Sequence, residues 1–457
     1  MNKRLSLYPI LKRYIYIYIS KGRYVVGNFR DEDAYLADQK EFIFLSLCDG
    51  SLTLGEIAKI YSGIFLEPIE NATAQVQELM TKHLQWICLQ NEMQPGRKIL
   101  REGNYKSQCE KWKYSKLRDE NPGKLTIVLT EGCNHICDYC FKSCNYKRKK
   151  EVDLEKWRDV IEQADEIGVQ QITFSGGEPF LYKGLLSLIE LCSAKGIYTK
   201  ISTNGTCLGE DVIRKLRDAG AEYIHLSLPA VTDSLYDMIT GSRGDLEKVK
   251  AAVRLLKQHG FYIRVKMVLT PNNVDEVEQL IDYCVHENVD FIHLAPFILT
   301  TSSREGKMLI PSEESLIRIK NLCSRKQKEY KNVSISEPPI ASLKWSGPQK
   351  ITKCGGIKDS LTILSNGDIT FCEALADRSE FIIGNVYGDS LKEVWNSDKP
   401  DRVASIENRN LDRCCRECEY LYKCQTGCFV FSNVQSGNPW AIDPRCWKFS
   451  GSCNIFS

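Results

Sequence analysis

The sequence predicts an α/β protein of three parts: an N-terminal winged-helix α+β domain, a central run of parallel β–α units and a cysteine-dense C-terminal domain. Three observations predict it. Six strand-like runs alternate with helical patterns between residue 124 and about residue 300. A hairpin pattern followed by three helical patterns fills residues 1–95. Beyond residue 354 long periodic runs give way to clustered cysteines, the composition of a segment that folds around metal.

In the N-terminal domain, "YIYIYIS" and "RYVVGNF" are β-rich runs joined by Lys21-Gly22, which predicts a hairpin. "DEDAYLADQKEFIFLSLCDG" reads as a helix ending at Asp49-Gly50. Thr53 and Glu56 form a capping box for a second helix, "LGEIAKIYSGI". "ENATAQVQELMTKHL" is the third helix, and "QWICLQ" a short wing strand. A winged helix suggests DNA binding. The third helix, however, offers Glu70, Glu78 and only Lys82, a poor face for phosphates. A hairpin edge beside a helix suits an extended peptide instead, taken up as an added strand. Residues 96–123 are basic and weakly periodic, a linker closed by Pro122-Gly123.

The central runs are "KLTIVLT", "QQITFSG", "IYTKIST", "YIHLSL", "YIRVKMVLT" and "DFIHLAPF". Their alternation with helices implies parallel strands and right-handed crossovers. Six units are too few for the closed eight-fold barrel, which leaves an open partial barrel or a doubly wound sheet. Both put the chemistry at the carboxyl ends of the strands. A bridge over residues 301–353, with the helical "PSEESLIRIKNLCSRKQKEYK", leads to the C-terminal domain at 354–457.

Composition narrows the function. A chain of 457 residues with 43% hydrophobic and 26% charged residues is a globular protein of more than one domain. A net charge of +2 argues against a nucleic-acid or membrane-surface binder. No apolar run reaches the ~20 residues of a membrane span. The N-terminus carries Lys12 and Arg13 within its apolar stretch, unlike a signal peptide, so a cytoplasmic protein is expected. In a reducing compartment the 20 cysteines are buried hydrophobes, metal ligands or nucleophiles rather than disulfides. Cys88, Cys192, Cys284 and Cys323 stand singly in apolar or helical patterns and read as core; the others cluster.

Cys133, Cys137 and Cys140 lie in "CNHICDYCF", after the first central strand. Structural zinc takes four ligands and disulfides take pairs, whereas three thiolates suit a metal centre that keeps one position open. "FSGGEP", residues 174–179, follows the second strand at the same end, and its glycines allow a ligand close to the backbone. "ISTNG", residues 201–205, ends the third strand. The three stretches converge on one rim. Spacing alone leaves zinc open, with His135 or Cys144 as a fourth ligand. His225 and His293 sit in strands and read as core or rim residues, and His135 has no assigned role. "YKRKK", residues 146–150, reads as a solvated face or a guide for an acidic partner.

The combination of C-x3-C-x2-C after the first strand and GGEP after the second resembles the radical S-adenosylmethionine (radical SAM) superfamily over residues 124–300. The resemblance implies a partial (βα)6, TIM-like barrel. It implies that Cys133, Cys137 and Cys140 hold a [4Fe–4S] cluster whose fourth iron binds S-adenosyl-L-methionine (SAM). Reductive cleavage of SAM there yields a 5′-deoxyadenosyl radical. Tyr139 would pack near the adenine; Gly176, Gly177 and Glu178, within the motif closed by Pro179, would face the SAM amino group; Ser202 and Asn204 would meet the ribose or carboxylate. Downstream, Cys354, Cys372, Cys415, Cys418, Cys424, Cys428 and Cys446 resemble the SPASM domain, an iron–sulfur extension. By that resemblance Cys415, Cys418, Cys424 and Cys446 enclose one auxiliary [4Fe–4S] cluster. Cys354, Cys372 and Cys428 hold the other, making three clusters per chain. Cys414 or Cys453 completes this last site, or one iron stays open to a substrate thiolate. Read without the resemblance, C-x2-C is also a zinc knuckle. One departure is "SLPAVTD", residues 227–233, where many SPASM enzymes have Ser-Leu/Ile-Asp-Gly, so that acidic residue's role does not carry over.

The N-terminal domain resembles the PqqD-like element that captures leader peptides of ribosomally made natural products. The whole chain then resembles a peptide maturase that forms cross-links, Cys thioethers first, in a ribosomally synthesised precursor peptide. The implied partners are that peptide with its leader and an electron donor such as flavodoxin or ferredoxin, with no nucleic acid and no membrane. The competing expectations are C–C or C–O cross-linking, and oxidation of a protein side chain or small molecule as in sulfatase-maturing and alcohol-oxidising relatives. A zinc-bearing DNA-binding protein is the non-enzymatic alternative.

Overall fold

The computed structural model describes residues 3–20, 23–30, 33–94, 121–142, 151–297, 309–338, 356, 359–376, 378–404, 417–418, 427–439, 441–443 and 446. The linker residues 95–120, the basic run 146–150, and Cys354, Cys414, Cys415, Cys424 and Cys453 lie outside the described residues. Among the described residues, no helix is long and apolar enough to cross a membrane.

The N-terminal domain opens with β1 (Tyr8–Leu11), β2 (Ile15–Ser20), β3 (Arg23–Asn28) and β4 (Asp33–Ala37). β2, β3 and β4 form an antiparallel meander. The predicted turn residues Lys21 and Gly22 lie outside the described residues, between the paired Ser20 and Arg23. Then come α1 (Gln39–Leu47), α2 (Leu54–Phe65), α3 (Ile69–Lys82) and β5 (Ile87–Gln90). The Thr53–Glu56 capping box is present in full. Three expectations are corrected. The first helix begins at Gln39, capped by the Asp38 side chain, because Asp33–Ala37 pairs with β3 as a strand. "YPIL" is a strand that the sequence did not announce, with Pro9 tolerated in a two-stranded edge pairing. The expected wing strand β5 pairs with β1 and not with the hairpin, so the domain carries two small sheets.

The central domain is built on β6 (Lys124–Val128), α4 (Leu154–Glu166), β7 (Gln171–Ser175), α5 (Leu185–Ala194), β8 (Tyr198–Thr203), α6 (Glu210–Asp218) and β9 (Tyr223–Ser227). It continues through α7 (Asp233–Thr240), α8 (Leu246–Gln258), β10 (Tyr262–Leu269), α9 (Val277–His286) and β11 (Phe291–Pro296). All six predicted strands are present, parallel and in sequence order. That order has no reversal point, which excludes the doubly wound arrangement and leaves the barrel type. The parallel run is longer than six. After α10 (Glu313–Glu329), β12 (Ser334–Ser336) pairs parallel with β11, and β13 (Ser360–Ile363) pairs parallel with β6. β14 (Asp368–Thr370) and β15 (Gly384–Asn385) extend the sheet antiparallel beyond β13.

Strand alternation decides what each face carries. Ile127, Phe174, Ile201, Leu226, Val265 and Leu294 are fully buried in the main core. They pack with helix residues at helical spacing, such as Trp157, Val160, Ile161 and Ala164 of α4. The opposite set faces the barrel interior and stacks in layers. Tyr198, Tyr223, Tyr262 and Phe291, the first residues of β8 to β11, make an aromatic floor with Phe29 of the N-terminal domain. Phe29 stacks on Tyr198 at 5.6 Å between ring centroids. Arg30 lies 4.0 Å over Tyr14 and 5.1 Å over Tyr262, with Glu222 at 3.7 Å. The N-terminal domain therefore closes the amino end of the barrel, away from the predicted rim.

Candidate active site

The cluster loop leaves β6 at its carboxyl end. Cys133, Cys137 and Cys140 line a cavity of 710 Å³, together with Tyr139, Gly176 and Gly177. Ser202 and Asn204 reach it from the end of β8, as the sequence predicts. Glu178 and Pro179 lie behind this lining. Glu178 is wholly buried and accepts hydrogen bonds from Thr203 Oγ1 (2.8 Å), the Asn204 amide (2.8 Å) and the Phe180 amide (3.2 Å). It ties the second loop to the third. Burial pushes its carboxyl up to about 7, against the lowering pull of those hydrogen bonds.

The two glycines, which line the cavity, also allow a close approach between loops. The Gly177 amide donates to Thr130 O (2.8 Å), and the Glu178 amide to Gly132 O (2.8 Å). A Cβ on Gly176 would sit 2.6 Å from Thr130 O, and one on Gly177 only 2.2 Å from Gly132 O. The bare backbone lets the second loop press against the cysteine loop, and Gly176 at φ +155° also takes a conformation rare for other residues.

The cysteine loop is braced on its far side by residues that sequence reasoning left without a role. The Ile136 amide donates to Thr240 O (2.9 Å) and the Asp138 amide to Ile239 O (3.0 Å). Buried His135 places Nε2 3.2 Å from Asp245 Oδ2. Asn134 accepts from Asn204 Nδ2 and donates to Thr206 Oγ1, each at 2.8 Å. Lys142 donates to Gly176 O (2.8 Å) and pairs with Glu373 at 2.6 Å. Glu373 follows Cys372, so this ammonium joins the cysteine loop to the C-terminal domain. His225 and His293 are also placed differently: both line the cavity, with ring centroids 6.0 Å apart. The inward phase of "YIHLS" and "FIHLAP" was the signal that could have found them.

The three thiols fit an iron–sulfur cluster better than a single ion or a nucleophile. Among the described residues, no three His, Cys, Asp or Glu side chains converge closely enough to hold one metal ion. Burial pushes the Cys137 thiol up to about 12 and raises Cys133 as well. Such thiols are poor free nucleophiles, yet a coordinating metal ionises them outright. In the C-terminal domain, Cys372, Cys418, Cys428 and Cys446 fall among the described residues. Asp443 links two of them: its Oδ2 accepts from the Cys428 amide (2.8 Å) and its carbonyl from the Cys446 amide (2.9 Å).

Comparison with known proteins agrees with this geometry. Residues 127–284 match the Radical SAM superfamily, and residues 354–419 match SPASM, an iron-sulfur cluster-binding domain. Among solved structures, the chain is similar to Streptococcus suis SuiB bound to S-adenosylmethionine. The TM-score is 0.67 at 19% identity, covering 96% of this chain and 100% of that one. SuiB bound to its precursor peptide SuiA matches with a TM-score of 0.66 at 18% identity, over 95% and 98%. A structure of anSMEcpe with bound AdoMet and the Cp18Cys peptide matches at 0.56 and 19% identity, over 71% of this chain and 94% of that one. The chain carries a radical SAM domain followed by a SPASM iron–sulfur cluster-binding domain.

Proposed function

We propose that the chain is a radical SAM maturase that installs intramolecular cross-links, Cys thioethers foremost, in a ribosomally synthesised precursor peptide in the cytoplasm. The observation that carries this reading is the convergence of three half-buried thiols and the Gly176-Gly177 loop on one cavity at the carboxyl ends of parallel strands. Cys133, Cys137 and Cys140 would hold a [4Fe–4S] cluster with an iron free for SAM, which together supply the radical that takes hydrogen from a peptide carbon. Tyr139, Ser202 and Asn204 orient SAM from the cavity wall, and Glu178 holds the second and third loops in register behind it. Cys415, Cys418, Cys424 and Cys446 would hold one auxiliary cluster, and Cys354, Cys372 and Cys428 the other. A flavodoxin or ferredoxin would supply electrons.

The N-terminal domain supports a peptide substrate. β4 is an edge strand whose Leu36 is 59% exposed. Beside it runs a groove of 280 Å³ lined by Tyr35, Trp86, Tyr14 and Asn28. A leader segment added to β4 would pair along the strand and rest side chains on Tyr35 and Trp86. SuiB, whose likeness spans nearly this whole chain, is seen with a precursor peptide; anSMEcpe, which matches a smaller share, is seen with the Cp18Cys peptide. Deleting residues 1–95 would confound a test of this groove, because it strips the cover from the aromatic floor. Tyr35→Ala, on the groove wall, keeps the floor intact. It is expected to raise the KM for peptide while SAM cleavage without peptide stays unchanged.

The deciding experiment weighs the peptide. Anaerobically reconstituted protein receives SAM, a reductant and a synthetic cysteine-containing precursor peptide with its leader, and free thiols are then alkylated. Loss of two hydrogens per event, with one thiol fewer to alkylate each time, establishes thioether formation. The same loss with every thiol still reactive moves the assignment to C–C or C–O cross-linking or to oxidation. SAM cleavage with unchanged peptide overturns the peptide substrate.

A further inference from the structure

Above the aromatic floor, the barrel interior is basic. Lys200, His225, Arg264 and His293 occupy the second inward position of β8 to β11, and Lys266 the third position of β10. Register puts Arg264 beside His225, and Lys266 between Ser227 and His293. The inward positions of the six predicted strands hold no Asp or Glu at all. The cavity meets two carboxylates among the described residues, Asp138 of the cysteine loop and Glu373 of a short 3-10 turn after Cys372. Glu373 is already paired with Lys142 at 2.6 Å. Lys266 lines the cavity with no carboxylate within ion-pair distance among the described residues. The buried Nε2 of His225 has no hydrogen-bond partner among the described residues. An ammonium and an imidazole held unpaired in a low-dielectric chamber are costly unless an anion arrives.

We infer that Lys266 and His225 form a carboxylate-recognition site at the base of the cavity, and that the substrate residue brought beneath the cysteine loop carries an Asp or Glu side chain. The inference rests on the proposed reading of the cavity as the reaction chamber of a peptide maturase, and it adds the substrate's chemistry. The geometry selects a carboxylate over a phosphate. Lys266 is a single ammonium between Ser227 and His293, and the guanidinium of Arg264 does not line the cavity but lies 4.0 Å over the Phe291 ring and donates to Tyr223 Oη, so the fork that phosphate favours is not offered. Two carboxylates reach such a chamber: that of a substrate side chain and the methionyl carboxylate of SAM. The proposed SAM contacts Ser202 and Asn204 come from β8 and the loop after it, two strands away from Lys266 on β10, which favours the substrate-borne group for Lys266.

The probes are N-acetyl-glutamate methylamide and N-acetyl-glutamine methylamide, titrated calorimetrically into full-length, cluster-loaded protein saturated with SAM. The glutamate compound is expected to bind about tenfold or more tightly than its neutral isostere, as a charge-assisted hydrogen bond implies. In Lys266→Met that preference should vanish while the Kd for SAM stays within about twofold, and Lys266→Arg should restore part of it. Equal binding of the two probes by the unmodified protein overturns the inference without recourse to any variant. A Lys266→Met protein that loses SAM affinity, with no change in probe preference, assigns the ammonium to SAM and also overturns it. Reductive SAM cleavage, measured on the same samples, tests the underlying reading separately. Its absence defeats the maturase proposal, whereas cleavage with no glutamate preference defeats only this one.

Discussion

The two ends of the barrel use the same strands for opposite purposes. At the carboxyl ends, glycines, cysteines and short polar side chains bring three loops within hydrogen-bonding distance of one another around an open cavity. At the amino ends, four consecutive strands begin with an aromatic residue, and the N-terminal domain seals them with Phe29 and Arg30. The rim is held by directed hydrogen bonds between loops and the floor by apolar area and ring contacts. A strand eight residues or fewer in length thus joins a reactive end to an inert one, and a change at either end should be felt in a different measurement.

Breaking the rim at its centre gives the largest effect. Cys137→Ala is expected to abolish SAM cleavage and strip the visible absorbance of the first cluster, with the thermal melt of the floor little changed. The floor comes next. Phe29→Ala should cost about 3 kcal/mol of stability, the usual range for a buried aromatic, and lower Tm while each iron-loaded molecule still cleaves SAM at the normal rate. If Phe29→Ala silenced SAM cleavage in fully loaded protein, the division between the two ends would fail. Gly177→Ala sharpens the rim side: a Cβ 2.2 Å from Gly132 O forces the two loops apart. About 2 kcal/mol of lost stability should accompany reduced iron loading, read by iron and sulfide analysis.

The gentlest probe is Glu178→Gln, read as a pH slope. With its carboxyl pushed up to about 7 by burial, Glu178 keeps a proton in the native state between the ordinary value of 4.5 and 7 that the unfolded chain has released. Native protein binds more protons there, so its stability falls as pH rises through that window and levels off above it. The amide that Glu178→Gln introduces does not titrate. Melting curves from pH 5 to 8 should show the decline in the unmodified protein and a flatter profile in the variant, a relative difference on the order of 1–3 kcal/mol.

How much of this was legible depended on how local the determinant was. The six parallel strands and the Thr53 cap follow from periodicity and spacing within a few residues. The strand Asp33–Ala37 did not, because its pairing with β3 overrides a sequence that also reads as a helix start. At the site, Cys133, Cys137, Cys140 and the two glycines declared themselves by spacing. The roles of His135, Lys142 and Asp443 depend on partners far along the chain, Asp245, Glu373 and Cys428, which no local pattern announces. Lys266 and His225 were present in the strand alternation, but recognising them required knowing which phase faced inward.

The seal at the floor also has a timetable. Tyr262 Oη donates to the Arg30 carbonyl across 232 residues of chain. At a ribosomal rate of about 5–20 residues per second, on the order of 10–50 seconds separate the emergence of these two partners. Throughout that interval the nascent N-terminal domain presents Phe29 and Arg30 to the surroundings, and a barrel half-made behind it lacks its closing strands. The chain is thus, for much of its own synthesis, a nascent polypeptide with an uncovered face. That exposure is where a chaperone has its opening and where truncated translation products will aggregate.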